Sequence, residues 1–223
     1  MNDAFLQLDP LQRLVLAYAK RQDRSRYAIA FALDSRFGQV IRSTSETLIG
    51  QMRLTWWRDI LTKPVKDRPS GEPLVALITE AEQQGTDLLP LIDLLEGWEF
   101  LLDDFPWNDQ QFNQYAVKRG EGAFQFALGA NNMMADDQKM GAQGWALWDL
   151  ARYCSDPDMR QQAFEKCQRI YESVSSVRFD SSGRPLSIFC KLAQSDATKG
   201  SLAADLYRPW VASKIIWHGV TGC

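Results

Sequence analysis

The chain has 223 residues, 45% hydrophobic and 24% charged, with a net charge of -3 and eight Trp. This length fits one domain or at most two, and the composition supports a substantial packed core. The near-balanced charge provides no basic field, which argues against nucleic-acid binding, and no run of about 18 apolar residues exists to span a membrane.

In chain order, Asp9-Pro10 reads as an N-cap and first helical position, because proline lacks an amide proton that the first turn cannot use. Leu11, Leu14, Val15 and Tyr18 follow at helical spacing. Residues 27–42 predict a second helix. Ser43 to Glu46 offers a capping box for a third, which runs to Lys63-Pro64. A loop over 67–73 precedes a short helix stopped by Gly85, and Pro90 opens a helix that Pro106 closes. Asn108 or Asp109 can cap the next helix. Two more cover "DQKMGAQGWALWDLARYC" and the stretch after Asp156-Pro157. A loop over 175–185 leads to final helices near 185–194 and 201–218. About nine helices and almost no strand signal predict an all-α, single-domain fold.

The N-terminus "MNDAFLQLDPLQRL" shows neither a secretory signal nor a transit-peptide composition. Cys154, Cys167, Cys190 and Cys223 are scattered without a CxxC spacing and read as reduced thiols. These features together predict a cytoplasmic location.

The third helix holds "ETLIGQMRLTWWRDIL". On a helical wheel Ile49, Met52, Trp56 and Ile60 share a stripe, with Arg53 and Trp57 beside it. With that stripe facing inward, Arg53, Trp56 and Trp57 form either a cation–π brace in the core or the wall of a pocket for an anion or an apolar chain.

The same stretch resembles a helix of the squalene/phytoene synthase family. The preceding "FALDSRFGQVIRSTSE" resembles the branch that serves as a mitochondrial complex I assembly factor. "LIDLLEGWEFLLDD" and "YAVKRGEGAFQFALG" are more loosely similar to later family helices, and "GWALWDLAR" stands where the second catalytic helix belongs. The resemblance implies an isoprenoid-synthase-like helical bundle. It adds Asp34, Tyr115 and Gly122 to Arg53, Trp56 and Trp57 as candidate pocket residues. It also implies a basic stretch after the second catalytic helix, which is not evident in this sequence.

Family enzymes join two prenyl diphosphates, using Mg2+ held by Asp-x-x-x-Asp pairs on two facing helices. Here the i+4 partner of Asp34 is Gly38, and Asp149 is followed by Arg152 and Tyr153, so neither pair carries over. Asp93, Glu96, Glu99 and Asp103 recur every three or four residues on one predicted helix. Glu99 and Asp103, as an i, i+4 pair, read as a residual Mg2+ site or as a solvated face. His218 has no acidic or Cys neighbour. Gly120, Gly122 and Gly129 follow no strand, so they read as close helix contacts rather than a phosphate loop. Lys20, Arg21, Arg24 and Arg26 read as a solvated face, with contact to anionic lipid or a partner as the other reading.

The resulting expectation is a diverged family member without head-to-head condensation, acting by binding an isoprenoid or lipid, or a client protein in a respiratory-complex assembly role. The alternatives are an active Mg2+-dependent prenyltransferase and a helical protein-interaction module. No transmembrane segment is expected, and peripheral membrane contact stays open.

Overall fold

A computed structural model describes residues 8–44, 46–174 and 176–203. Every regular element among them is helical. The order is α1 (Pro10–Leu16), α2 (Arg24–Arg42), α3 (Thr47–Thr62), α4 (Pro73–Gln83), α5 (Leu89–Glu99), α6 (Asp109–Tyr115), α7 (Gly122–Leu128), α8 (Asp136–Tyr153), α9 (Pro157–Ser173) and α10 (Arg184–Lys199). A π-helical segment, Ala116–Glu121, joins α6 to α7 into one continuous rod, giving nine rods among the described residues. The all-α expectation holds. The predicted helix over 201–218 lies outside the described residues from 204 onward, as do His218 and Cys223.

Local signals start most helices where the sequence places them. Asp9 accepts from the Gln12 amide while the Gln12 side chain caps Asp9 in return. Asn108 and Gln111 repeat that device at α6, and Asp156 caps α9 ahead of Pro157. The expected capping box at Ser43 and Glu46 does not form. Glu46 occupies the N-cap without a side-chain bond, and Ser43 instead closes α2, its amide bonding the Gln39 carbonyl.

The core gathers Tyr27, Ile29, Phe31, Leu33 and Phe37 of α2 against Leu91, Leu94, Leu95 and Trp98 of α5 and Trp145, Leu147 and Trp148 of α8. Glycines set the spacing of its centre. A methyl group on Gly97 would lie 2.5 Å from the Arg119 amide nitrogen and 2.7 Å from its Cα. On the opposite side, Gly120 meets the Ala142 carbonyl of α8 even more tightly. The π segment is therefore clamped between α5 and α8, backbone against backbone.

α3 turns differently from the wheel reading. Its buried side is Gly50, Leu54, Trp57, Ile60 and Leu61, while Ile49, Met52 and Trp56 face outward. The helix is apolar on both sides. Gly50, packed on Leu102, and Trp57, edge-on to Phe37 at 6.0 Å, decide which side goes in.

Gly97→Ala should destabilise the fold by about 2–3 kcal/mol, because the obstructing atoms are backbone and cannot rotate away. Denaturant unfolding of the variant measures this directly.

A candidate binding cleft around Arg119

Arg119, on the π segment, is only 2% exposed and is bonded on every side. Its Nε and Nη2 donate to Asp34 Oδ1 and Oδ2 of α2 at 2.9 and 3.0 Å, a bidentate pair. Nη2 also donates to Asp149 Oδ2 of α8 at 2.5 Å, and Nη1 to the Tyr115 hydroxyl at 2.6 Å. Trp98 Nε1 donates to Asp34 Oδ1 at 2.8 Å, fixing that carboxylate from a third side. The guanidinium lies over Trp98, 4.2 Å from the ring centre, with Trp145 at 5.1 Å. Two carboxylates from opposite helices thus face each other across a cation held flat among indole rings.

Burial works against the guanidinium charge, but Asp34, Tyr115 and Asp149 outweigh it and hold Arg119 protonated well beyond its ordinary range. For Asp149 the balance falls the other way. Burial pushes its carboxyl up, Arg119 pulls it down, Asp34 pushes it up again, and the net shift is upward. Asp9, at the rim, is raised by burial and to a lesser degree by Asp149 and Asp34, against the pull of its capping bonds.

Asp34, Arg119 and Asp149 form the inner wall of a cleft of about 800 Å³. Its outer walls are Asp9 and Gln12 of the α1 entry, Arg36, Gln39 and Arg42 of α2, and Tyr153 of α8. Arg42 reaches back along its helix to Gly38, where an added methyl group would lie 2.8 Å from both Arg42 Nη1 and Trp98. The lining is polar and mixed in charge. An apolar bore for a long hydrocarbon chain is not what these side chains make, whereas the arginines and amides suit an anionic head group.

The sequence-predicted residues divide. Asp34 and Tyr115 meet at Arg119. Gly122 packs against the Pro90 carbonyl and the Leu94 amide and serves as a helix contact, not as a wall of the cleft. Arg53 is exposed and donates to the Ser43 and Thr44 hydroxyls at 3.3 and 3.2 Å. Trp57 is buried, and Trp56 is partly exposed beside it. Arg53, Trp56 and Trp57 line a shallower depression of about 310 Å³ that shares Arg36 and Gln39 with the main cleft.

Glu99 and Asp103 do not form an i, i+4 pair on one α-helix. α5 ends at Glu99, a 3-10 turn covers Phe100–Leu102, and Asp103 takes an extended conformation. Glu99 is bound by Arg58 at 2.5 Å, and Glu96 by Arg58 and Lys118 at 3.3 and 2.8 Å. Among the described residues no group of three or more His, Cys, Asp or Glu is arranged to hold a metal ion. In the basic cluster, Arg26 turns inward to Asp23 and the α7 carbonyls of Ala127 and Leu128, and Lys20 donates to Ser182.

Arg119, Trp98 and Trp145 were not singled out from the sequence, and Asp149 was set aside for want of an i+4 partner. A signal for Arg119 existed: Phe112, Tyr115, Arg119, Ala123 and Phe126 follow one another at helical spacing, a charge set within an apolar stripe. No family model matches the chain, and no curated protein matches it.

Arg119→Ala should cost about 3–5 kcal/mol by stranding the buried Asp34 carboxylate, and Arg119→Lys should recover only part, since lysine supplies neither the fork nor the stacking plane. Chemical denaturation of both variants measures the difference. Asp149 gives a pH signature. Its raised folded pKa means the folded state takes up this proton first as pH falls, so stability gained toward acid is lost as pH rises through that value. Asp149→Asn lacks this gain. The stability advantage of the parent protein over the variant should therefore grow as pH falls from neutral, read from melting temperatures of the two across pH.

Proposed function

We propose that the protein is a diverged member of the squalene/phytoene synthase family that has lost head-to-head condensation and acts by binding. The sequence support is the resemblance carried by "LIGQMRLTWWRDIL" and "FALDSRFGQVIRSTSE". The single observation that carries the functional half is the position of Arg119 between Asp34 and Asp149.

Condensation of prenyl diphosphates draws on Mg2+, which neutralises the leaving diphosphate and needs several free oxygen ligands in near-octahedral array. Asp34 and Asp149 are the carboxylates facing each other across this cleft. Both Asp34 oxygens and one Asp149 oxygen already accept hydrogen bonds from the guanidinium. Loading a divalent ion there would require expelling a buried, stacked cation with four bonded N–H groups. These residues do not fit the ion.

What the cleft retains is an anion-binding rim. Arg42, Gln39 and Gln12, beside an Arg36 that pairs with Glu72 at 3.5 Å, surround a space large enough for the polar head of a lipid or isoprenoid phosphate. Such binding serves either carriage of the ligand or an assembly-type role, the latter by analogy with the family's complex I assembly branch.

The test is incubation of the purified chain with farnesyl or geranylgeranyl diphosphate and Mg2+. No condensed product is expected, while native mass spectrometry should show the diphosphate bound. Arg42→Ala, a change at an exposed side chain, should weaken that binding by about tenfold with an unchanged melting temperature. A condensed product would overturn the reading in favour of an active prenyltransferase.

A further inference from the structure

The charges that line the cleft cancel. Asp9, Asp34 and Asp149 contribute three carboxylates, and Arg36, Arg42 and Arg119 contribute three guanidinium groups. Arg36 is shared with Glu72, at 3.5 Å. Arg119 is committed to Asp34 and Asp149. An anion that gives up its water to enter this space therefore meets no net positive charge while all three carboxylates are ionised. Holding a phosphate group here calls for the loss of one negative charge from the walls.

The three carboxylates differ in how readily they can lose it. Asp34 accepts three hydrogen bonds, two from Arg119 and one from Trp98, and its side chain is 9% exposed. Asp9 caps α1 through the Gln12 amide, a position that favours a negative charge. Asp149 accepts from Arg119 through Oδ2, and its side chain is 20% exposed where Arg119 is 2% exposed. A proton on Oδ1 leaves Oδ2 in place for Arg119 and turns that part of the wall from an acceptor into a donor. The surroundings of Asp149 lean the same way. Burial favours its protonated form, Arg119 opposes it, Asp34 favours it and Arg42 opposes it, with the net shift upward. Asp9 and Arg36 at the rim, Tyr115 on the rod and Tyr153 on α8 are the other titratable or charged groups around it. Arg152 on the same helix is turned to Asp196 of α10.

We infer that the cleft binds its phosphorylated ligand together with one proton, carried on Asp149 Oδ1 and donated in a hydrogen bond to a phosphate oxygen, with Arg42 as the accompanying cation. The proton is drawn from solvent as the anion enters and returns there as it leaves. This rests on the anion-binding reading of the cleft and names the group that makes such binding depend on pH. The ligand is held more tightly as pH falls and released as pH rises, because binding and protonation of Asp149 favour each other reciprocally.

The test is calorimetric titration of the purified chain and of Asp149→Asn with farnesyl diphosphate between about pH 5.5 and pH 8. Asparagine supplies a permanent N–H donor, carries no charge and does not titrate. The variant should bind at least as tightly as the parent at the alkaline end. The affinity of the parent relative to the variant should rise about tenfold toward the acid end. The diphosphate's own titration is common to both proteins and cancels in this ratio, and melting temperatures check that the variant is folded. Calorimetry of the parent alone, in buffers of different ionisation enthalpy, should show proton uptake beyond what the diphosphate itself supplies. A parent-to-variant ratio that stays constant with pH, or absence of that extra uptake, would overturn the inference and leave the anion-binding reading standing. Absence of binding by the parent across the whole range would overturn both.

Discussion

The guanidinium of Arg119 ties α2, α8 and the rod through α6 and α7 at one point. Asp34 lies in the middle of a nineteen-residue helix that is otherwise apolar on this side. A carboxylate there is costly unless a cation and donors surround it, and Arg119 with Trp98 supplies both. Reciprocally, the arginine can be buried only because two carboxylates and a phenol accept hydrogen bonds from it. Such a cluster adds little net stability over an apolar replacement, but it accepts a single geometry. That geometry sets how closely α2, α5 and α8 approach, and the glycines at 97 and 120 make the approach possible.

A planar organic cation between opposed carboxylates differs from a hydrated divalent ion in the same place. It is covalently tethered, it cannot exchange, and its donors point only in the guanidinium plane. Charge at the heart of the molecule is therefore settled internally. The rim is polar for the same reason that the core is not: aromatic side chains already fill the space behind Arg119.

Helix positions were largely legible because caps and prolines act locally. Asp9-Pro10, Asn108 and Asp156-Pro157 each mark a start whatever the rest of the chain does. Orientation was less legible. α3 offers two apolar sides, and only its neighbours, Leu102 against Gly50 and Phe37 against Trp57, determine which is buried. The acidic pair at 99 and 103 was misjudged because periodicity runs on past Glu99 while the backbone tightens into a 3-10 turn. In the cleft, Asp34 and Tyr115 could be anticipated, but their meeting point could not. Arg119 and Asp149 are 30 residues apart, and nothing local says that one neutralises the other.

The rod from Asp109 to Leu128 carries one further consequence. A π turn uses more residues than an α turn for nearly the same advance. Through Ala116–Glu121 the rod is thus rotated out of phase with an uninterrupted α-helix by about 100° for each extra residue. Phe112 and Tyr115 before the turn, and Phe124 and Phe126 after it, are all buried. The length of the segment acts as an angular setting: shortening it by one residue would turn α6 and α7 relative to each other by about 100° and change the faces that α7 presents to α2 and α5.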